Sequence, residues 1–283
     1  YGVWTLADTT GLVVAGNDFN AVSKGKSDGG LVGLLLQDLS FPARIEDNRL
    51  LGFIFGIVLN DALLTGVPFS QAAGSIITGN SIARLGAEAD GGTLKAFGID
   101  VAADGCVISD NILLYNSSDY GGIAVSGRDA VVERNQLRSL LKEAQTMRPI
   151  ALVLARLGPN GSLGTTGGRL AGNLIFGVQD GIVLIGNEGA GVRDNRVENE
   201  GQEVRFGLLL AGSSRVRVEG NRVTNTTWPI ATSGGTANAV GDNSLLRGGG
   251  GITAVFHTSL TCNGNRVEDM RLWGMLSLVG LAK

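Results

Sequence analysis

The chain has 283 residues, 45 of them glycine, with 43 % apolar residues, only 5 prolines and a net charge of -3. Glycine at this frequency without a three-residue period excludes collagen, and the scarcity of proline excludes a Pro/Gly linker. A near-neutral balance with no basic stripe excludes a nucleic-acid partner, and no apolar run is long enough for a membrane span.

In chain order the predicted elements recur as one unit. Gly2 opens an alternating segment, and Val14, Asn17 and Phe19 follow it. The same order returns at Gly33 with Ile45, Asn48 and Leu50, at Gly56 with Ile77, Asn80 and Ile82, and at Gly98 with Ile108, Asn111 and Leu113. It continues at Gly122 with Val132, Asn135 and Leu137, at Pro149 with Leu170, Asn173 and Ile175, and at Gly181 with Val192, Asn195 and Val197. Gly207 precedes Val218, Asn221 and Val223; Pro229 precedes Val240, Asn243 and Leu245; Gly251 precedes Cys262, Asn265 and Val267; Gly274 begins an eleventh unit. The asparagines are 22 to 38 residues apart, so one unit near the lower length carries variable loops.

Each segment alternates with period two, which turns one face to a shared interior. The units are too short for helical crossovers, so each strand must pair in parallel with its equivalent one coil away, at about 4.8 Å per coil. This predicts a right-handed parallel β-helix of about ten coils, a single domain over residues 1–283. The asparagine is assigned to the bend because it tolerates left-handed backbone, and its amide can hydrogen-bond along the rod as a ladder. In the insertion from Ser139 to Met147, Leu140, Leu141, Ala144 and Met147 stand at helical spacing, which predicts a short helix near 139–147. The start at Tyr1 and the unit begun at Gly274 predict a piece of a longer polypeptide whose two ends are capped by other segments or subunits.

The repeated pattern typified by VRVEGNRV, Val216 to Val223, resembles the coils of the right-handed parallel β-helix superfamily with the pectate-lyase-like fold, over essentially the whole chain. The resemblance implies the fold and says little about activity, since that superfamily holds lyases, hydrolases, epimerases and tailspikes. In its polysaccharide-cleaving members the first-strand face forms the substrate groove. Here the residues two after each opening glycine or proline are Trp4, Leu35, Val58, Asp100, Ala124, Ala151, Val183, Leu209, Ala231, Thr253 and Leu276; those four after it include Val153, Ile185 and Val255. The face has no Lys or Arg and one Asp, so neither cations for an acidic sugar nor a base for elimination stand on it. Leu35, Val58, Val153, Val183, Ile185, Leu209, Val255 and Leu276 therefore read as an interface to a protein partner or a second copy of the chain. On the second-strand face, Arg44/Glu46 and Arg217/Glu219 read as ordinary solvated charge.

Other chemistry is thin. His257 is the only histidine and is expected exposed at a strand end, without a triad. Cys106 and Cys262, six coils apart, read as core residues. The aromatic column Phe55, Phe97, Phe206, Trp228 and Trp273 has the parity of inward residues and reads as core. Asp-Gly pairs before first strands are turn chemistry, with calcium binding as the alternative. If the chain is an enzyme, the candidate catalytic group is Asp100 with Asp119, Tyr120 and Arg128 on adjoining loops. The expected function is a non-catalytic structural or binding β-helix module of a larger secreted, cell-surface or phage-like assembly, at an extracellular or surface location. The alternative is a polysaccharide lyase or epimerase, with polysaccharide as ligand.

Overall fold

The computed structural model describes residues 2–6, 10–21, 32–37, 39–59, 72–84, 96–115, 120–139, 150–155, 166–199 and 204–278. Its strands stack in parallel, each against the equivalent segment one coil away, as a right-handed parallel β-helix. Three apolar columns line the interior. The first runs in register through Leu34, Ile57, Ile99, Ile123, Leu152, Ile182, Leu208, Ile230 and Ile252. None of these is more than 2 % exposed. The second and third columns are the apolar residues three before and two after each ladder asparagine, in register from Val14 to Cys262 and from Phe19 to Val267. Each fully buried aliphatic side chain contributes about 1.5–3 kcal/mol relative to exposure.

The ten second strands form one sheet. The other nineteen strands join into a second, because Ser244–Val255 and Arg266–Leu278 run unbroken from the third-strand into the first-strand position.

The asparagine ladder is continuous. Nδ2 of each asparagine from Asn17 to Asn243 donates to Oδ1 of the next, at 2.9–3.1 Å. The backbone N–H donates to the same oxygen. The eight asparagines from Asn48 to Asn243 are at most 1 % exposed. The left-handed backbone, however, is not carried by asparagine. It belongs to the residue before: Gly16, Asp47, Gly79, Asp110, Arg134, Gly172, Asp194, Gly220, Asp242 and Gly264 all have φ between 53° and 67°. The asparagine amide is spent on the ladder, and the bend is left to a Gly or Asp that takes αL at low cost, except in the fifth coil, where Arg134 takes it.

Glycine opens the first strands for a steric reason. A Cβ on Gly207 would meet Val223 Cγ1 at 2.3 Å and the carbonyl oxygen of Pro229, one coil on, at 2.6 Å. One coil departs from the sequence reading. Leu152 pairs with Ile123 and Ile182, and Val153 with Ala124 and Val183, so Ala151 rather than Pro149 takes the glycine position. The outward column there holds Val153, and Ala151 is fully buried. Most of the helix expected near 139–147 lies outside the described residues, and Ser139 itself ends the strand Gln136–Ser139.

Candidate functional site

The outward face of the first strands is one unbroken column. Leu35, Val58, Asp100, Ala124, Val153, Val183, Leu209, Ala231, Thr253 and Leu276 stand in successive register, one per coil, and the Trp4 backbone pairs with Leu35. The column is not equally open. Leu35, Val58 and Val183 are 9 %, 4 % and 3 % exposed within the chain itself, and Val32, Leu35 and Val58 form a second apolar cluster with Phe55 beside the main core. These three of the expected interface residues have little surface left for a partner. Val153, Ile185, Leu209, Val255 and Leu276 keep part of theirs. Ala231 and Thr253 are also buried, at 8 % and 9 %; Phe256, Leu272 and Leu278 of the last coils are exposed, as is Met275, which follows Ile252 on the inward column at the end of the stack.

The aromatic column faces outward, not inward. Trp273 Nε1 donates to Oγ1 of the outward Thr253 at 3.3 Å, and the rings of Trp228 and Trp273 approach to 5.5 Å between centroids. They meet across the coil that separates them because Gly250 stands there: a Cβ on Gly250 would lie 2.7 Å from Trp273 Nε1. The next residue, Gly251, would instead aim a Cβ at the core residue Val267, at 2.8 Å from Cγ1. The corner at the opening glycine resets the alternation, and counting by two across it reversed the direction of the aromatics. Below this pair, Phe206 has the Arg205 guanidinium at 5.0 Å from its centroid. Arg205 in turn pairs with Asp180, whose side chain is 2 % exposed.

Of the four candidate catalytic residues, Asp100 and Arg128 have side chains among the described residues. Asp100 stands in the outward column between Val58 and Ala124. Arg128 lies at the turn before the second strand, where its Nε and guanidinium N–H groups donate to Asp104 Oδ2 at 3.0 and 2.8 Å. Asp104 holds the Arg128 guanidinium above its ordinary pKa, the opposite of what a base requires. Tyr120 begins the strand Tyr120–Val125, with its side chain outside the described residues, as is Asp119. The Asp28, Asp90 and Asp119 turns considered for calcium also fall outside them.

His257 is buried, not exposed, at 6 %. It caps a corner column of Asn187, Ser213 and Gly235, each two residues past the paired ends Ile185, Ala211, Ser233 and Val255. Its Nε2 accepts from Asn238 Nδ2 at 3.0 Å, and burial holds the imidazole below its ordinary pKa. Cys106 is fully buried and its thiol is pushed up to about 12, mainly by that burial. Cys262 is partly buried on the inward column. Among the described residues no three His, Cys, Asp or Glu side chains stand close enough to hold a metal ion, and no helix is long and apolar enough to cross a membrane.

A family model described as "Periplasmic copper-binding protein (NosD)" matches residues 160–275, less than half of the chain. Among solved structures, the chain is similar to the A-module of mannuronan C-5 epimerase AlgE6 from Azotobacter vinelandii, at 11 % sequence identity and a TM-score of 0.34, over 97 % of this chain and 92 % of that one. No curated protein matches the chain.

Proposed function

We propose that this parallel β-helix is a non-catalytic structural or binding module that packs through the outward first-strand face of its later coils against a second copy of itself. The observation that carries this reading is the composition of that face: one column in register from Leu35 to Leu276 whose polar members are Asp100 and Thr253. It is continuous with the exposed Phe256 and Leu278. An apolar face is complementary to another apolar face, and a two-fold pairing of identical rods needs no component beyond this chain. The similarity over residues 160–275 to a family described as periplasmic supports an extracytoplasmic location. The copper in that family's description does not fit the described residues: the one histidine is committed to Asn238, and Cys106 is a buried, protonated thiol.

A carbohydrate-active reading is favoured by one feature, the Asp100 carboxylate on the face that forms the groove in polysaccharide-cleaving β-helices. The two readings separate in an assay. The purified chain is incubated with uronate polymers, and unsaturated ends are followed by absorbance and C-5 inversion by proton NMR. Neither product is expected. Turnover that disappears in Asp100→Asn would overturn the non-catalytic reading.

A further inference from the structure

On the opposite sheet the seventh coil is cut down to small residues. Gly189 and Gly191 lie on its surface over the buried Ala190, with Gly168 one coil below, and they floor a notch of about 390 Å³. Four arginines rim it: Arg169 from the coil below, Arg193 from the same coil, and Arg215 and Arg217 from the coil above. Among the described residues no carboxylate lines it, although the chain as a whole carries a net charge of -3.

Three details make the notch more than a stretch of solvated charge. First, Gly191 stands in register between Arg169 and Arg217, which leaves an open step flanked by two cations, and Arg193 Nε lies only 3.8 Å from where a Gly191 Cβ would be. Second, Arg215 is held with φ at 56° in a corner column whose equivalents in the two preceding coils are Gly167 and Gly189, at 67° and 80°. Asp129 and Ala237 share this left-handed corner in the coils beyond, so the column turns in the same way throughout and at Arg215 carries a guanidinium to the rim of the notch. Third, the two Arg-x-Glu segments read from sequence as ordinary solvated charge differ in their ion pairs. Arg44 pairs with Glu46 two residues on, at 2.8 Å, but Glu219 pairs with Arg193 of the preceding coil, at 3.2 Å. Arg217 is thereby left without an ion-pair partner among the described residues. Arg169 and Arg215 are paired to Glu133 and Glu188, both outside the lining.

We infer that this notch is an oxyanion-binding site, built for the carboxylate or sulfate group of an acidic glycan or for the same group on a free small anion. The planar guanidinium fork matches both groups in two-point contacts, and the glycine floor lets the anion approach the backbone between the coils. The site lies on the second-strand sheet and is independent of the first-strand face.

Titration calorimetry of the whole chain with sodium sulfate, against sodium chloride at equal ionic strength, tests it. Saturable sulfate binding is expected in the wild type and in Arg44→Gln, a control in the same outward column. Arg217→Gln is expected to weaken it by about tenfold or more, the size of one lost charge-assisted hydrogen bond. Gly191→Asp places a carboxylate in the notch and is expected to abolish it, with the folded state of each variant checked by its circular dichroism and melting. An oligouronate or sulfated oligosaccharide that binds tighter than sulfate identifies the glycan as the source of the anion; sulfate binding without that gain identifies a free small anion. Absence of saturable binding to all three ligands, or binding that Arg217→Gln and Gly191→Asp leave unchanged, overturns the site.

Discussion

Asn135→Ala is expected to lower the urea midpoint of unfolding more than any single surface substitution. Asn135 is fully buried in the fifth coil. Its Oδ1 accepts from the backbone N–H and Nδ2 of Asn111, both at 3.0 Å, and its Nδ2 donates to the carbonyl of Ile108 at 2.9 Å. Alanine leaves the Asn111 N–H buried without its acceptor, at about 1–3 kcal/mol, while the Ile108 carbonyl keeps the Glu133 N–H that the strand register gives it. The effect should also be directional. Asn111 loses its acceptor, while the backbone N–H of the substituted residue keeps its own, Asn173 Oδ1, which lies at 3.0 Å from the Asn135 nitrogen. Hydrogen exchange should therefore speed up at Asn111 before it does at the residue substituted. Asn265→Ala serves as the comparison: that residue is only partly buried, at the end of the ladder, and its loss should cost less. Equal losses at both positions would mean that the ladder is not what holds the coils in register.

Gly207→Ala is the second large effect, and it acts through space instead of hydrogen bonding. The added methyl would stand 2.3 Å from Val223 Cγ1 inside the same coil and 2.6 Å from the Pro229 carbonyl of the next. Valine can shift, but the carbonyl belongs to the neighbouring backbone, so the coils must part. Overpacking of this kind costs about 1–3 kcal/mol. Gly274→Ala, in the same column at the last described coil, has its nearest neighbour 3.9 Å away and should be close to neutral. Thermal melts of the two variants side by side test the explanation, since backbone propensity alone would make them alike.

Much of the architecture was legible because a solenoid repeats its constraints. Every coil must place an apolar residue three before and two after the ladder asparagine, and ten coincident matches leave little freedom for another fold. What escaped was whatever depended on a corner. The left-handed residue was assigned one position late, to the asparagine, because both Asn and the Gly or Asp before it tolerate αL. The alternating Gly and Asp at that corner have a reason visible only between coils: Asp47, Asp194 and Asp242 lean over the glycine of the next coil, where a Cβ would fall 2.0–2.4 Å from their Oδ1 atoms. Where the next coil has Arg134 instead, it pairs with Asp110. The same limit hid the outward direction of Trp228 and Trp273, which a glycine corner separates from the strand they precede. It also hid the two-residue slip at Ala151 and the burial of His257 on a column that repeats only from Asn187 onward.

The candidate site was less legible than the fold. The outward column was legible residue by residue, and its register holds apart from Ala151. Which part of it stays open was not legible, because the burial of Leu35, Val58 and Val183 is set by packing around them and not by their own alternation. The arginine notch was invisible for a related reason. Arg217 and Glu219 read as ordinary solvated charge in the sequence, and only the parallel stacking brings Glu219 to Arg193.

Packing of the later part of the first-strand face against a second copy, through the partly exposed Leu209, Val255 and Leu276, is tested most directly by the molar mass of the isolated chain in solution, read by light scattering after size exclusion. The expected result is a dimer of the 29.2 kDa chain that Leu209→Glu converts to a folded monomer. A wild-type chain that stays monomeric at tens of micromolar, or a dimer that Leu209→Glu leaves intact, would contradict it.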